Sequence, residues 1–378
     1  MRQRVRGFTM IEMLISMALG AMVLGLIVQL FGQALKVTWM TSQRAEMQQD
    51  FRAGANLMSK DISMAGAGAL GQQGLSQNSV ALPVSATLPI YPCSATACNF
   101  INGGAVTYPN VAGARYLYSI IPGPNLGIII NGKTTDILTV SYTDATLALN
   151  CYNVTYTNAT TIVFTLPAVL PTTCILPTGV AAPQPLNDPV VGLKAGDMLM
   201  FSLSGVGPAA IGVVNTVAAA TCAGQPCYTV AFTAGDPGNI NQPAVAVGSL
   251  LTLAPPKSIQ SAVRMLLITY YLDISPVDGV TPRLMRIQNG RTAAPVAENV
   301  AYLKFSFDVF NGGSVTANQT SLPAGTTPSM ITKVNIMHMA MRSQLHGANG
   351  YQGLDLQTSI AARNMTFQQE YPITGSAY

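Results

Sequence analysis

From Met13 to Phe31 the chain reads "MLISMALGAMVLGLIVQLF" without a charge, and Glu12 is the last charged residue before Lys36. About 20 apolar residues at 1.5 Å each cross a hydrocarbon core of roughly 30 Å, so this run predicts a membrane-spanning helix. Beyond it the pattern turns one-sided. Met40, Met47, Phe51, Met58, Ile62 and Ala65 recur at three-to-four-residue steps or their multiples, while Arg44, Arg52, Lys60 and Asp61 fall mostly between them. That is an amphipathic continuation of the same helix, offering one face to a head. Met fills irregular gaps, so the stripe reads as packing and not as a cofactor box. The first proline is Pro83, and from Phe8 to about Ala65 one rod would reach roughly 85 Å. It ends at "AGAGALGQQG". Gly66, Gly68 and Gly71 match G-x-G-x-x-G, but they follow a helix where the dinucleotide fingerprint needs a strand. They read as a helix stop and a flexible exit.

Residues 76–256 change register to short strand-like runs between Pro/Gly turns, poor in charge and rich in Ala, Thr, Val and Asn. "GIIINGKT" (Gly127–Thr134) satisfies the P-loop expression. Three consecutive isoleucines are stiff strand formers, however, and Asn131-Gly132 is a preferred hairpin turn. With "TTDILTVSYT" following as a strand, a hairpin is expected. Asp236 opens "DPGNINQ", which lacks the acidic spacing of a calcium loop and reads as a solvated turn. In residues 257–378, "VRMLLITYYLDI" is almost continuously apolar and predicts a buried strand, and "LMRIQNGR" carries a second Asn-Gly turn at Asn289. "VAYLKFSFDVF" alternates, with Leu303, Phe305, Phe307 and Val309 on one face and Lys304, Ser306 and Asp308 on the other. That predicts a half-buried antiparallel strand. "TKVNIMHMAMRS" and "TSIAARN" supply two more. Alternation puts His338 opposite Met337, Met339 and Met341, so packing is preferred to a soft-metal site.

Composition narrows the function. Charged residues make up 9% of the 378 residues, against about 25% in a typical soluble domain. Of the formal +4 charge, three positives come from Arg2, Arg4 and Arg6. Nucleic acid is therefore not an expected partner. With two histidines, no nucleophile motif and no metal-ligand spacing, no enzyme, cofactor or metal is expected. The six cysteines, Cys93, Cys98, Cys151, Cys174, Cys222 and Cys227, read as disulfides of an oxidising compartment in preference to a zinc site. Six thiols allow 15 connectivities; proximity suggests Cys93–Cys98, Cys151–Cys174 and Cys222–Cys227.

Three readings compete for the N terminus: a secretory signal, a plain signal anchor, or cleavage ahead of the apolar run. A secretory signal has a shorter apolar core, and an anchor leaves Glu12 without a role. Here "RGFTMIEML" resembles the leader of type IV pilins and pseudopilins: a short basic segment, Gly, then Phe-Thr-x-x-Glu. The resemblance implies that prepilin peptidase cuts between Gly7 and Phe8 and that Phe8 is N-methylated. A carboxylate in hydrocarbon costs about 2.5–3.5 kcal/mol at a helix centre. Glu12 would then meet the Phe8 amine of a neighbouring subunit, each relieving the other's desolvation.

"KDISMAG", "TDILTVSY", "KAGDMLMF", "PRLMRI", "ENVAYLKFSFDV" and "ARN" are similar to the PilW family of minor pilins. This implies an α+β, pilin-like fold: a long N-terminal helix, membrane-spanning in its first half, packed on an antiparallel β-sheet head with a β-rich, loop-rich insertion. The expected segments are a cleaved basic leader (1–7), a transmembrane half-helix (8–35), an amphipathic half-helix (36–65) and a head (66–378). The head divides into a disulfide-containing variable region (76–256) and a C-terminal sheet (257–378). The implied function is a minor pilin at or near the tip of a type IV pilus, helping to initiate assembly. Implied partners are prepilin peptidase, other minor pilins, the major pilin, the inner membrane and a tip adhesin. A J-class pseudopilin of a type II secretion system is the alternative, and a surface or glycan reader is a third reading. Three leading arginines put the short end in the cytoplasm and the remainder outside; the resemblance implies that the head stands in the periplasm of a Gram-negative cell and then on the pilus. The membrane helix lacks the proline of many major pilins; Gly20 and Gly25 leave its melting open.

Overall fold

The computed structural model describes residues 9–68, 79–83, 110–111, 114–144, 146–204, 207–236, 238–245, 247–289, 292–347 and 350–365. Met10–Met64 is one helix of 55 residues, about 80 Å long at 1.5 Å per residue. Gly20 and Gly25 lie inside it without a break. Residues 9–39 are exposed throughout, and burial begins in earnest at Met47. From there Met47, Phe51, Gly54, Ala55, Met58, Asp61 and Ile62 form the buried face, the three-to-four spacing of a helical stripe. Gly54 sets the closeness of the approach. A Cβ there would come within 3.3 Å of the Leu284 side chain and 3.4 Å of Ala297.

The helix stops where the glycines begin. Gly66 and Gly68 have φ of +77° and +67°, a backbone region that favours glycine. The start of the exit, residues 66–68, is pinned where a flexible one was expected, and Gly71 lies outside the described residues. Gly66 N–H donates to the Ser141 carbonyl and Thr143 N–H to that of Ala67, both at 2.9 Å. The departing chain is thereby tied to the strand Ile137–Asp144.

The strand Ile259–Ile274 organises the head. Its residues 259–265 pair with Met198–Leu203, 264–270 with Ile137–Asp144, and 268–274 with Pro282–Gln288, all antiparallel. Gly207–Val213, Ile120–Gly123 and Ala294–Glu298 extend the sheet outward. It draws strands from both sides of residue 256. Side chains alternate between two cores. Ile268, Tyr270 and Leu272 join the core beneath the helix, while Met265, Leu267 and Tyr271 join another on the opposite face. That double burial is why the segment reads as a continuous apolar run.

A second antiparallel sheet runs in the order Val315–Gln319, Val300–Phe310, Ile331–Gly347, Gly350–Ala361. Leu303, Phe305, Phe307 and Val309 enter the core that holds the helix, as alternation predicts. The other face differs from expectation: Ser306 and Asp308 are buried there too. The strand Val315–Gln319 folds back beside them, and Asn318 N–H donates to the Asp308 carboxylate at 3.0 Å. Asp136 clips the two sheets together. Its carboxylate accepts from Lys304 Nζ (2.6 Å), Phe305 N–H (3.0 Å) and Asn125 N–H (2.8 Å).

A third sheet, in the order Thr216–Cys222, Gln225–Ala231, Thr161–Thr165, Asn153–Asn158, caps a further core around Phe164, Phe201 and Phe232. Disulfides join Cys151 to Cys174 and Cys222 to Cys227; Cys93 and Cys98 lie outside the described residues. Buried Arg264 pins the loop nearby, donating to the carbonyls of Val191 (3.0 Å) and Gly192 (3.1 Å) and to Asp144 (2.9 and 2.5 Å). Burial works against the Asp144 charge, but Thr146 and Arg264 hold its carboxyl below the usual carboxylate range.

Candidate functional site

The helix carries two carboxylates with opposite surroundings. At its start, Thr9 is the N-cap, extended at φ −80° and ψ 150°. Glu12 N–H donates to Thr9 Oγ1 at 3.4 Å, and Glu12 Oε2 accepts from both Thr9 N–H and Thr9 Oγ1 at 2.9 Å. This is a reciprocal capping box, which satisfies two of the donors a helix start leaves open. The Thr-x-x-Glu spacing was readable in the sequence; only the intersubunit role of Glu12 was taken from it. Both of those bonds fall on Oε2. The surrounding turns expose Met10, Met13, Leu14 and Met17 at 63–86%. Gly7 and Phe8 lie outside the described residues.

Met10–Met64 is long and apolar enough to cross a membrane. Its exposed half presents eighteen large apolar side chains from Met10 to Trp39. At about 1.5–3 kcal/mol each, leaving them in water costs on the order of tens of kcal/mol. That surface needs a cover.

At the other end, Asp61 belongs to the buried face of the helix and not, as expected, to the polar residues between the apolar positions. It is 2% exposed. Three groups of the head converge on it: Tyr142 Oη donates to Oδ1 at 2.7 Å, and Tyr270 Oη (2.6 Å) and Arg286 Nε (2.9 Å) donate to Oδ2. The spacing carried the signal, since Asp61 stands three residues after Met58 and four before Ala65, on the stripe itself. Burial, reinforced by the Asp61 carboxylate, pushes both tyrosine hydroxyls well above their ordinary range. Burial opposes the charge on Arg286, but its bond to Asp61 more than offsets this and raises its pKa. A buried ion pair with both carboxylate oxygens engaged is a geometric lock: it admits one register of helix on head.

The remaining sequence candidates resolve as structure. Ile129–Ile130 pairs with Lys133–Thr134 across Asn131 (φ +50°) and Gly132 (φ +75°), a hairpin and not a phosphate loop. The Asp236 carboxylate accepts from Ile240 and Asn241 N–H, each at 2.9 Å, so it anchors a turn. Met339 and Met341 enter the core beneath the helix. Met337 departs from the expected alternation. Lys304 pairs with His338 and Phe305 with Ile336, so Met337 is the extra residue of a bulge and lines the same shallow groove as His338. His338 Nδ1 lies 2.9 Å from Asp355 Oδ2. Among the described residues no three His, Cys, Asp or Glu side chains gather as a metal site.

A family model described as the prokaryotic N-terminal methylation motif matches residues 2–28. The chain carries a prepilin-type N terminus. The motif indicates a pilin-like or pseudopilin substrate of prepilin peptidase, one that assembles with other pilins. Comparisons with curated proteins and with solved structures each gave no match.

Proposed function

We propose that the chain is a minor pilin of a type IV pilus, of the PilW kind, incorporated at or near the tip to help initiate assembly. Prepilin peptidase removes residues 1–7, and the new terminus, Phe8, is N-methylated. The head stands in the periplasm of a Gram-negative cell until assembly carries it to the surface. The observation that carries this reading is the exposed apolar half-helix with Glu12 at its leading end, joined rigidly to a large head.

In the membrane, lipid covers the apolar half. In a filament, the helices of neighbouring subunits do so, and Glu12 Oε1 accepts from the methylated Phe8 amine of the next subunit. A register that missed this pairing would leave two charges unmatched in hydrocarbon. The bulk of the head favours a tip position, where lateral crowding is least. Deleting the chain is expected to reduce surface piliation and twitching. Normal piliation together with a secretion defect would place it instead among J-class pseudopilins.

A further inference from the structure

Sheet edges are ready-made templates for pairing, and folded proteins blunt them with charges, prolines, bulges or cover. Most edges of this head follow that rule. Along Gly207–Val213, Ile211 N–H bonds the Gly248 carbonyl and Val213 N–H the Asn241 side chain. Ala294–Glu298 carries Pro295, Glu298 and a register shift, and Ala297 lies under Gly54 of the helix. Val315–Gln319 and Asn153–Asn158 are bulged, Ile120–Gly123 contains Pro122, and Gly350–Ala361 carries Asp355.

The strand Thr216–Cys222 does not. Its sequence, TVAAATC, has no charge and no proline; it pairs with Gln225–Ala231 in unbroken register and is mostly exposed. The direction of its free groups follows from its partner. The Pro226 carbonyl accepts from Leu166 N–H, and Phe232 N–H donates to the Thr160 carbonyl. Even-numbered residues of the partner strand therefore bond away from Thr216–Cys222, and odd-numbered ones toward it. By register, Thr216, Ala218, Ala220 and Cys222 use their main-chain groups inward. Val217, Ala219 and Thr221 turn theirs outward, where no described residue meets them.

The edge is also held ready. Ala223 (φ +48°) and Gly224 (φ +79°) close the hairpin, and the Cys222–Cys227 disulfide fastens its end. Strand addition to a preformed edge orders only the incoming segment.

We propose that the outer edge of Thr216–Cys222 is a strand-addition site for an extended, uncharged segment of another protein chain. The small side chains of Ala218, Ala219 and Ala220 leave room for β-branched or aromatic residues opposite them, and an incoming charge would find no partner. The occupant is a segment and not a second folded copy. Seven residues of edge, about 24 Å long, bury far less than the roughly 1,200 Å² of a stable interface between folded partners.

The test uses the full-length chain in detergent micelles and, as probe, an end-capped heptapeptide of alternating Thr and Val. Amide exchange at Val217, Ala219 and Thr221 is expected to be fast alone and to slow about tenfold or more with peptide. Ala218 and Ala220, already bonded, should not change. A peptide N-methylated at alternate amides should have no effect. Ala219→Pro removes an outward N–H without touching the inner ladder, so it should abolish the peptide effect while Ala218 and Ala220 stay protected. Absence of slowing, or equal slowing by the N-methylated peptide, would overturn the proposal. So would edge amides already slow without peptide, whether independently of protein concentration (a segment of the same chain) or dependent on it (a second copy).

Discussion

Glu12 and Asp61 lie on one helix, both on apolar surface, and differ in whether the chain itself completes them. Asp61 has three donors from the head, and both of its oxygens are engaged. Among the described residues Glu12 has only its own N-cap, with both side-chain bonds on Oε2. The difference divides the molecule. Where an acid is completed internally, the helix is part of a fold; where it is not, the helix is half of an interface. The same division appears in the methionines: Met58 is fully buried, and Met22 is 69% exposed.

The largest expected effect comes from breaking the internal side. Asp61→Ala strands Arg286 and two phenols in the core and should cost about 3–5 kcal/mol of head stability, read by denaturant unfolding of the detergent-solubilised chain. Glu12→Ala should leave that transition unmoved, since the lost capping box is local to the helix start, while abolishing entry into filaments. Equal destabilisation by both would erase the distinction.

Next, Met58→Ala should cost about 2–5 kcal/mol through the cavity it leaves. Met22→Ala should cost nothing measurable in the same assay. A matching loss at Met22 would mean that the exposed half packs on the head.

The smallest effect sharpens the Asp61 joint by pH. The folded-state pKa values of Tyr142 and Tyr270 are raised above the ordinary tyrosine value of about 10. Their contribution is therefore complete below pH 10 and falls as pH rises from there towards the folded values. Replacing both by Phe should flatten part of the alkaline decline in stability; an unchanged slope would locate it in other tyrosines.

Much of this was legible in the sequence, and for physical reasons. One-sided helical spacing announced the buried stripe, Asn131-Gly132 its hairpin, and the almost continuously apolar run of residues 263–274 a buried strand. Three features were hidden by long-range contacts. Asp61 stands on the stripe by its spacing, but the partners that complete its charge are 81, 209 and 225 residues away, beyond the reach of any local pattern. Ser306 and Asp308 looked exposed because local alternation cannot reveal the strand folding back beside them. Met337 slipped its face through a bulge that no local pattern marks. At the N terminus, the Thr9–Glu12 capping box was readable but was overshadowed by the role assigned to Glu12 between subunits.

The central claim is that Glu12 waits for an amine that exists only after the leader is removed. The mass of the N-terminal peptide of the protein recovered from cells tests it most directly. The account predicts a peptide beginning at Phe8 and heavier by one methyl group; a peptide still carrying Arg2, Arg4 and Arg6 would contradict it.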